Sequence, residues 1–102
     1  MDDKEKQKAQ RKKQKINAKS AALDSNDNLT DEEKAVLKSI VRLRIDQNIS
    51  QTELGKTIKV HQTAVCRIET GEQKISIPQL VALSKKYSIN SFGPIKIRLK
   101  KE

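Results

Sequence analysis

The stretch from Ser50 to Gly71 constrains this chain more than any other feature. It holds two short segments with helical apolar spacing, about 51–58 with Leu54 and Ile58, and about 62–70 with Ala64, Val65 and Ile68. Only Lys59-Val60 and His61 lie between them. Ser50-Gln51-Thr52-Glu53 spells a capping box at the start of the first segment, and Gly71 ends the second as a C-cap. Two short helices joined by so tight a turn are distinctive.

The flanking sequence supplies further helices. Thr30-Asp31-Glu32-Glu33 offers an N-cap with Glu33 three residues on and acidic residues in the first turn. Val36, Ile40 and Leu43 then recur at helical spacing, widened by Leu37 and Val41, which predicts a helix of roughly 31–47. Beyond Gly71 a surface loop, Glu72 to Ile75, leads to Ser76 as an N-cap, with Pro78 in the first turn where its missing N–H costs nothing. A helix of about 77–87 follows, turning Leu80, Val81, Leu83 and Tyr87 inward. Asn90 to Pro94 stops helix formation, and from Ile95 to Leu99 apolar and basic residues alternate with the period of a strand.

Length leaves room for one domain: 102 residues, 34% of them apolar, close one modest core. Tyr87 and Phe92 are the only aromatics, so Leu, Ile, Val and Ala must build it, which suits helices packed on helices. The expected architecture is all-α: a four- to five-helix bundle with a disordered basic arm over residues 1–29, a body over 30–93, and a basic strand or tail over 94–102. The arm carries eight Lys or Arg against three Asp or Glu in residues 1–22, and has little apolar beyond Ile16, Leu23 and a few Ala. It reads as a solvated tail, as an arm tracking DNA phosphates, or as a helix that orders on a partner.

Charge narrows the partners. The 22 Lys plus Arg exceed the 13 Asp plus Glu, a net +9 that attracts polyanions. No run is long enough for a transmembrane helix, and the N-terminus lacks the apolar stretch of a secretory signal, so the expectation is a cytoplasmic, nucleoid-associated chain with no membrane partner. One cysteine, Cys66, forms no internal disulfide, and with one histidine, His61, it builds no metal site; no cofactor is expected.

Residues 49–71, ISQTELGKTIKVHQTAVCRIETG, resemble the helix-turn-helix of the Cro/Xre family, which includes lambdoid phage repressors and many antitoxins. The matching features are Ser50-Gln51, Leu54, Ile58, Val60, Val65, Ile68 and Glu69-x-Gly71, and the wider likeness runs from about Val36 to Ile89. Two positions depart from it. Gly55 stands where Ala is frequent, a loss of about 1 kcal/mol inside a helix, in exchange for close helix approach. Lys59 stands where Gly is frequent, which predicts a left-handed Lys at a cost of roughly 1 kcal/mol or more.

The resemblance implies that the 62–70 helix enters the major groove, which accepts one helix, while the preceding helix crosses the backbone. It carries base contacts onto Gln62, Thr63, Cys66 and Arg67, with Gln62 suited to adenine and Arg67 to guanine or phosphate. Gln51 matches a phosphate-contacting glutamine; Lys56, Lys59, His61 and Lys74 add backbone contacts. His61 also reads as a plain N-cap, and Cys66 as a small packing residue. Arg44 and Glu69 match a partly buried structural ion pair.

Two functions fit. One is a transcriptional regulator of repressor type, a homodimer on double-stranded DNA with readers one turn apart on a palindromic operator. In that reading the terminal strand either pairs with its symmetry mate or folds back on its own body. The other is an antitoxin resembling the HigA type, which neutralises a small ribonuclease toxin and represses its own operon. For an enzyme there is no Ser/His/Asp set, no Gly-rich phosphate loop and no paired carboxylate beside His61. RNA binding through the arm is a minor alternative.

Overall fold

The computed structural model describes residues 3–98. Five helices and one small hairpin follow in order: α1 Asp3–Asp24, α2 Asp31–Asp46, α3 Gln51–Ile58, α4 Gln62–Thr70, α5 Ile77–Tyr87, β1 Ser91–Phe92 and β2 Ile95–Lys96. The all-α, helix-turn-helix class expected from the sequence is the class observed.

Local chemistry sets the boundaries. Thr30 Oγ1 accepts from the Glu33 amide at 3.1 Å and Glu33 Oε1 accepts from the Thr30 amide at 3.0 Å, the full capping box at the start of α2. Ser76 and Gln79 repeat it at α5. At α3 only the Ser50 half forms, Oγ accepting from the Glu53 amide at 3.0 Å, while Glu53 stays exposed. Gly71 closes α4 with φ 85°, a left-handed cap that leaves its hydrogens against the Leu29 side chain.

The apolar stripes of α2 to α5 meet in one core of Val36, Leu37, Ile40, Leu43, Ile49, Leu54, Ile58, Val65, Ile68, Leu80 and Leu83, joined by Leu23 and Phe92. Val81 and Tyr87, expected inside, are half-buried.

Residues 3–24 differ from the expected disordered arm. They form a helix antiparallel to α2, held by two anchors seven residues apart: Leu23 enters the main core, and Ile16 packs with Val41 and Ile45 in a second small cluster. Lys, Gln, Arg and Ala give the segment its helical tendency, and the anchors dock it. Polar ties reinforce both ends of the contact: Lys34 Nζ donates to Asp24 O at 2.9 Å, Lys38 pairs with Asp24, and Lys12 Nζ donates to Asp46 O at 3.3 Å.

The strand pattern after Pro94 resolves as a fold-back. β2 pairs antiparallel with β1 in the register Ser91↔Lys96 and Phe92↔Ile95, and the Ile97 amide donates to Asn90 O at 2.7 Å. Gly93, at φ 57°, lets the turn sit on α2: a Cβ there would stand 2.8 Å from Ala35. Leu99, the last residue of the alternation, lies outside the described residues.

Candidate nucleic-acid interface

The turn between α3 and α4 is built against steric preference at one residue and with it at another. Lys59 caps α3 at φ 62°, ψ 44°, the left-handed backbone expected from its place in the turn. Gly55 is required by contact: a Cβ would meet Val60 O at 2.6 Å and Val65 Cγ2 at 3.3 Å, so its bare backbone lets α3 and α4 close on each other. Substituting Lys59→Gly is expected to raise the unfolding free energy by about 1 kcal/mol, because the left-handed strain disappears with the side chain. Urea denaturation measures it, and a loss of stability would show that the Lys59 stem packs usefully.

His61 caps α4, Nδ1 accepting from the Thr63 amide at 3.1 Å. That fixes the first turn of α4, whose Gln62, Thr63, Cys66 and Arg67 are all exposed, at spacings of one and four residues that place them on one helical face. Cys66 is therefore not the packing residue of the plainer reading, because its side of α4 faces away from the core formed by Val65 and Ile68.

Behind this face runs a hydrogen-bonded relay. Glu69, 2% exposed, receives Arg44 Nε at 2.5 Å on one oxygen and Arg44 Nη2 at 3.1 Å on the other, a two-pronged pair joining α2 to α4. The second oxygen also accepts Lys19 Nζ from α1 at 2.7 Å and Gln51 Nε2 from α3 at 3.0 Å. Gln51 Oε1 in turn accepts Gln62 Nε2 at 2.9 Å. Burial pushes the Glu69 carboxyl up, but the hydrogen bonds from Arg44, Lys19 and Gln51 outweigh it and hold the group below its ordinary value. A buried carboxylate thus orients one amide, and that amide orients a second at the exposed start of α4.

The remaining sequence candidates fall into two places. Lys56 and Lys59 are exposed on α3 and its cap. Lys74 instead lines a separate apolar cavity of about 180 Å³ with Glu32, Glu33 and Ile77, and shares no lining residue with the groove beside Gln51 and Gln62.

Lys19 was not among the residues singled out from sequence. Its signal was the seven-residue spacing of Ile16 and Leu23, which turns Lys19 toward the body between them.

The Cro/C1-type helix-turn-helix family model matches residues 40–91, from the middle of α2 through α5 to the first strand. The chain belongs to that helix-turn-helix family. No curated protein and no solved structure matches it significantly. Membership makes it a DNA-binding transcriptional regulator, of a family that is generally non-enzymatic. Among the described residues no helix is long and apolar enough to cross a membrane.

Proposed function

We propose that this helix-turn-helix protein is a transcriptional repressor that binds a palindromic operator as a dimer, reading bases from the exposed face of α4. The observation that carries the reading is the Gln51–Gln62 amide pair set on buried Glu69. An amide has two N–H donors and one carbonyl, and the bond to Gln51 uses a single donor of Gln62. The other N–H and the carbonyl are the two groups that an adenine edge takes, at N7 and N6 respectively. Orientation by Gln51 lowers the rotamer entropy lost on binding, so Gln62 serves sequence discrimination better than a loose surface glutamine would. Thr63, Cys66 and Arg67 lie beside it, with Arg67 able to take guanine or phosphate.

Gln51 stands in the first turn of α3, whose unpaired N–H groups and positive dipole end favour a phosphate; Lys56 and Lys59 add unspecific attraction, and His61, whose Nδ1 caps α4, has its Nε2–H to donate to the backbone. One short reading helix contacts too few base pairs for selective occupancy, and a two-fold partner doubles the site and imposes operator symmetry. Repression then needs nothing more than occupancy.

Selecting bound duplexes from a random library tests this. The expected result is a two-fold motif with half-sites about 10 base pairs apart. On that duplex Gln62→Ala should cost about 1–3 kcal/mol and relax preference at one base pair per half-site. Equal losses on selected and scrambled duplexes would remove Gln62 from the base-reading set.

A further inference from the structure

Helix α1 places its charge unevenly. At 3.6 residues per turn, Lys4, Lys8, Arg11, Lys12, Lys15 and Lys19 fall within an arc of about 100°, six of the eight cations in the helix. The arc borders the edge buried by Ile16 and Leu23, so docking α1 on α2 also fixes where this basic stripe faces. Arg11, Lys12, Lys15 and Lys19 form one wall of a groove of about 680 Å³; Arg44, Ser50, Gln51, Thr52 and Gln62 are on the other side. None of the described residues lining it is acidic. Lys12 is tied to the last carbonyl of α2 and Lys19 to Glu69, whereas Arg11 and Lys15 are exposed.

We propose that this groove is a phosphate track, in which α1 holds the DNA backbone where it leaves the half-site read by α4. The proposal rests on the operator reading above and extends it to a second class of contact, made by a helix docked on the body. The geometry favours duplex DNA because the groove opens at Gln62 and at the start of α3, the two points where base edge and phosphate meet in that reading. A rod carrying cations every three or four residues matches a strand of phosphates, and its rigidity spares the ordering cost of a flexible arm. Beyond Lys12 the helix runs on past the end of α2, carrying Lys8 and Lys4 outward along the same line.

The test uses the full chain and the double variant Arg11→Gln, Lys15→Gln, which leaves both anchors and the Lys19–Glu69 pair in place. Binding is measured against salt on the selected duplex with long flanks and on the same duplex trimmed to its half-sites. The expected result is a several-fold weaker affinity and a salt slope lower by about 2 per protomer, about 4 for the dimer, on the flanked duplex, with variant and parent alike on the trimmed one. An unchanged slope on the flanked duplex, with the selected motif intact, would overturn the phosphate track and leave the operator reading standing. A parent chain that selects no motif would overturn the operator reading and the track with it. A loss confined to A-form RNA duplexes would overturn the DNA assignment of the groove.

Discussion

Replacing Glu69 with alanine is expected to cost about 3–5 kcal/mol of unfolding free energy, because it leaves the nearly enclosed Arg44 charge without its carboxylate. Arg44 is nearly enclosed, its side chain 13% exposed, and would keep only its bond to Ile49 O at 3.2 Å. Lys19 would lose its tie between α1 and α4, and Gln51 the acceptor that orients it. A domain of this size has about 5–15 kcal/mol in total, so a loss of this size removes a large share of it. Urea denaturation followed by circular dichroism checks the magnitude. The double variant Arg44→Met, Glu69→Leu separates the causes: it should be markedly more stable than Glu69→Ala alone, since no buried charge remains. It should still bind DNA poorly, because Gln51 and Gln62 have lost their anchor.

The same group sets an acid response. Glu69 titrates below its ordinary 4.5 in the folded chain, so its stabilisation is complete above that value and is lost as the pH falls through the lower folded one. The parent chain should therefore lose stability steeply in that acid window, and Glu69→Ala should lack that part of the slope.

Phe92→Ala is expected to cost a similar amount, about 3–5 kcal/mol. Phe92 is fully buried, belongs to the main core, and is the largest side chain there. It sits on β1, opposite Ile95, with the hairpin turn seated on Ala35 and the Gly93 amide bonded to Ser39 Oγ at 2.9 Å. Backbone so constrained cannot collapse into the space left by a lost ring, which places the cavity cost at the upper end. Urea midpoints measure it. A loss below about 1 kcal/mol would mean that the hairpin is peripheral to the core. Ile97→Ala, half-buried beyond the hairpin, should cost much less.

Much of the α3–α4 region is legible in the sequence because its rules are local. Caps act across three or four residues and apolar periodicity across two turns, so Thr30, Ser50, His61, Gly71 and Ser76 bound their helices at or within a residue of the expected limits. The left-handed Lys59 and the close approach at Gly55 followed instead from the family resemblance, as the two positions where this turn departs from the usual Gly and Ala. The reach of Gln51 to Gln62 was not legible, since it depends on how α3 crosses α4 and on a carboxylate seven residues further along.

Four helices, the polar outer face of α4 and a strand-like end are set by local sequence alone. Tertiary structure alone decided what became of the two ends. The apolar content of residues 3–24 is too thin to announce a helix, and α1 is fixed by surfaces far away in the chain: Val41 and Ile45 for Ile16, and Glu69, fifty residues on, for Lys19. Alternation after Pro94 announced a strand but not its partner, because pairing with a second chain or folding back satisfies the same backbone groups. Phe92 favoured the fold-back: its burial against α2 brings Ser91 and Phe92 alongside Lys96 and Ile95, a gain in apolar contact that pairing in solvent lacks.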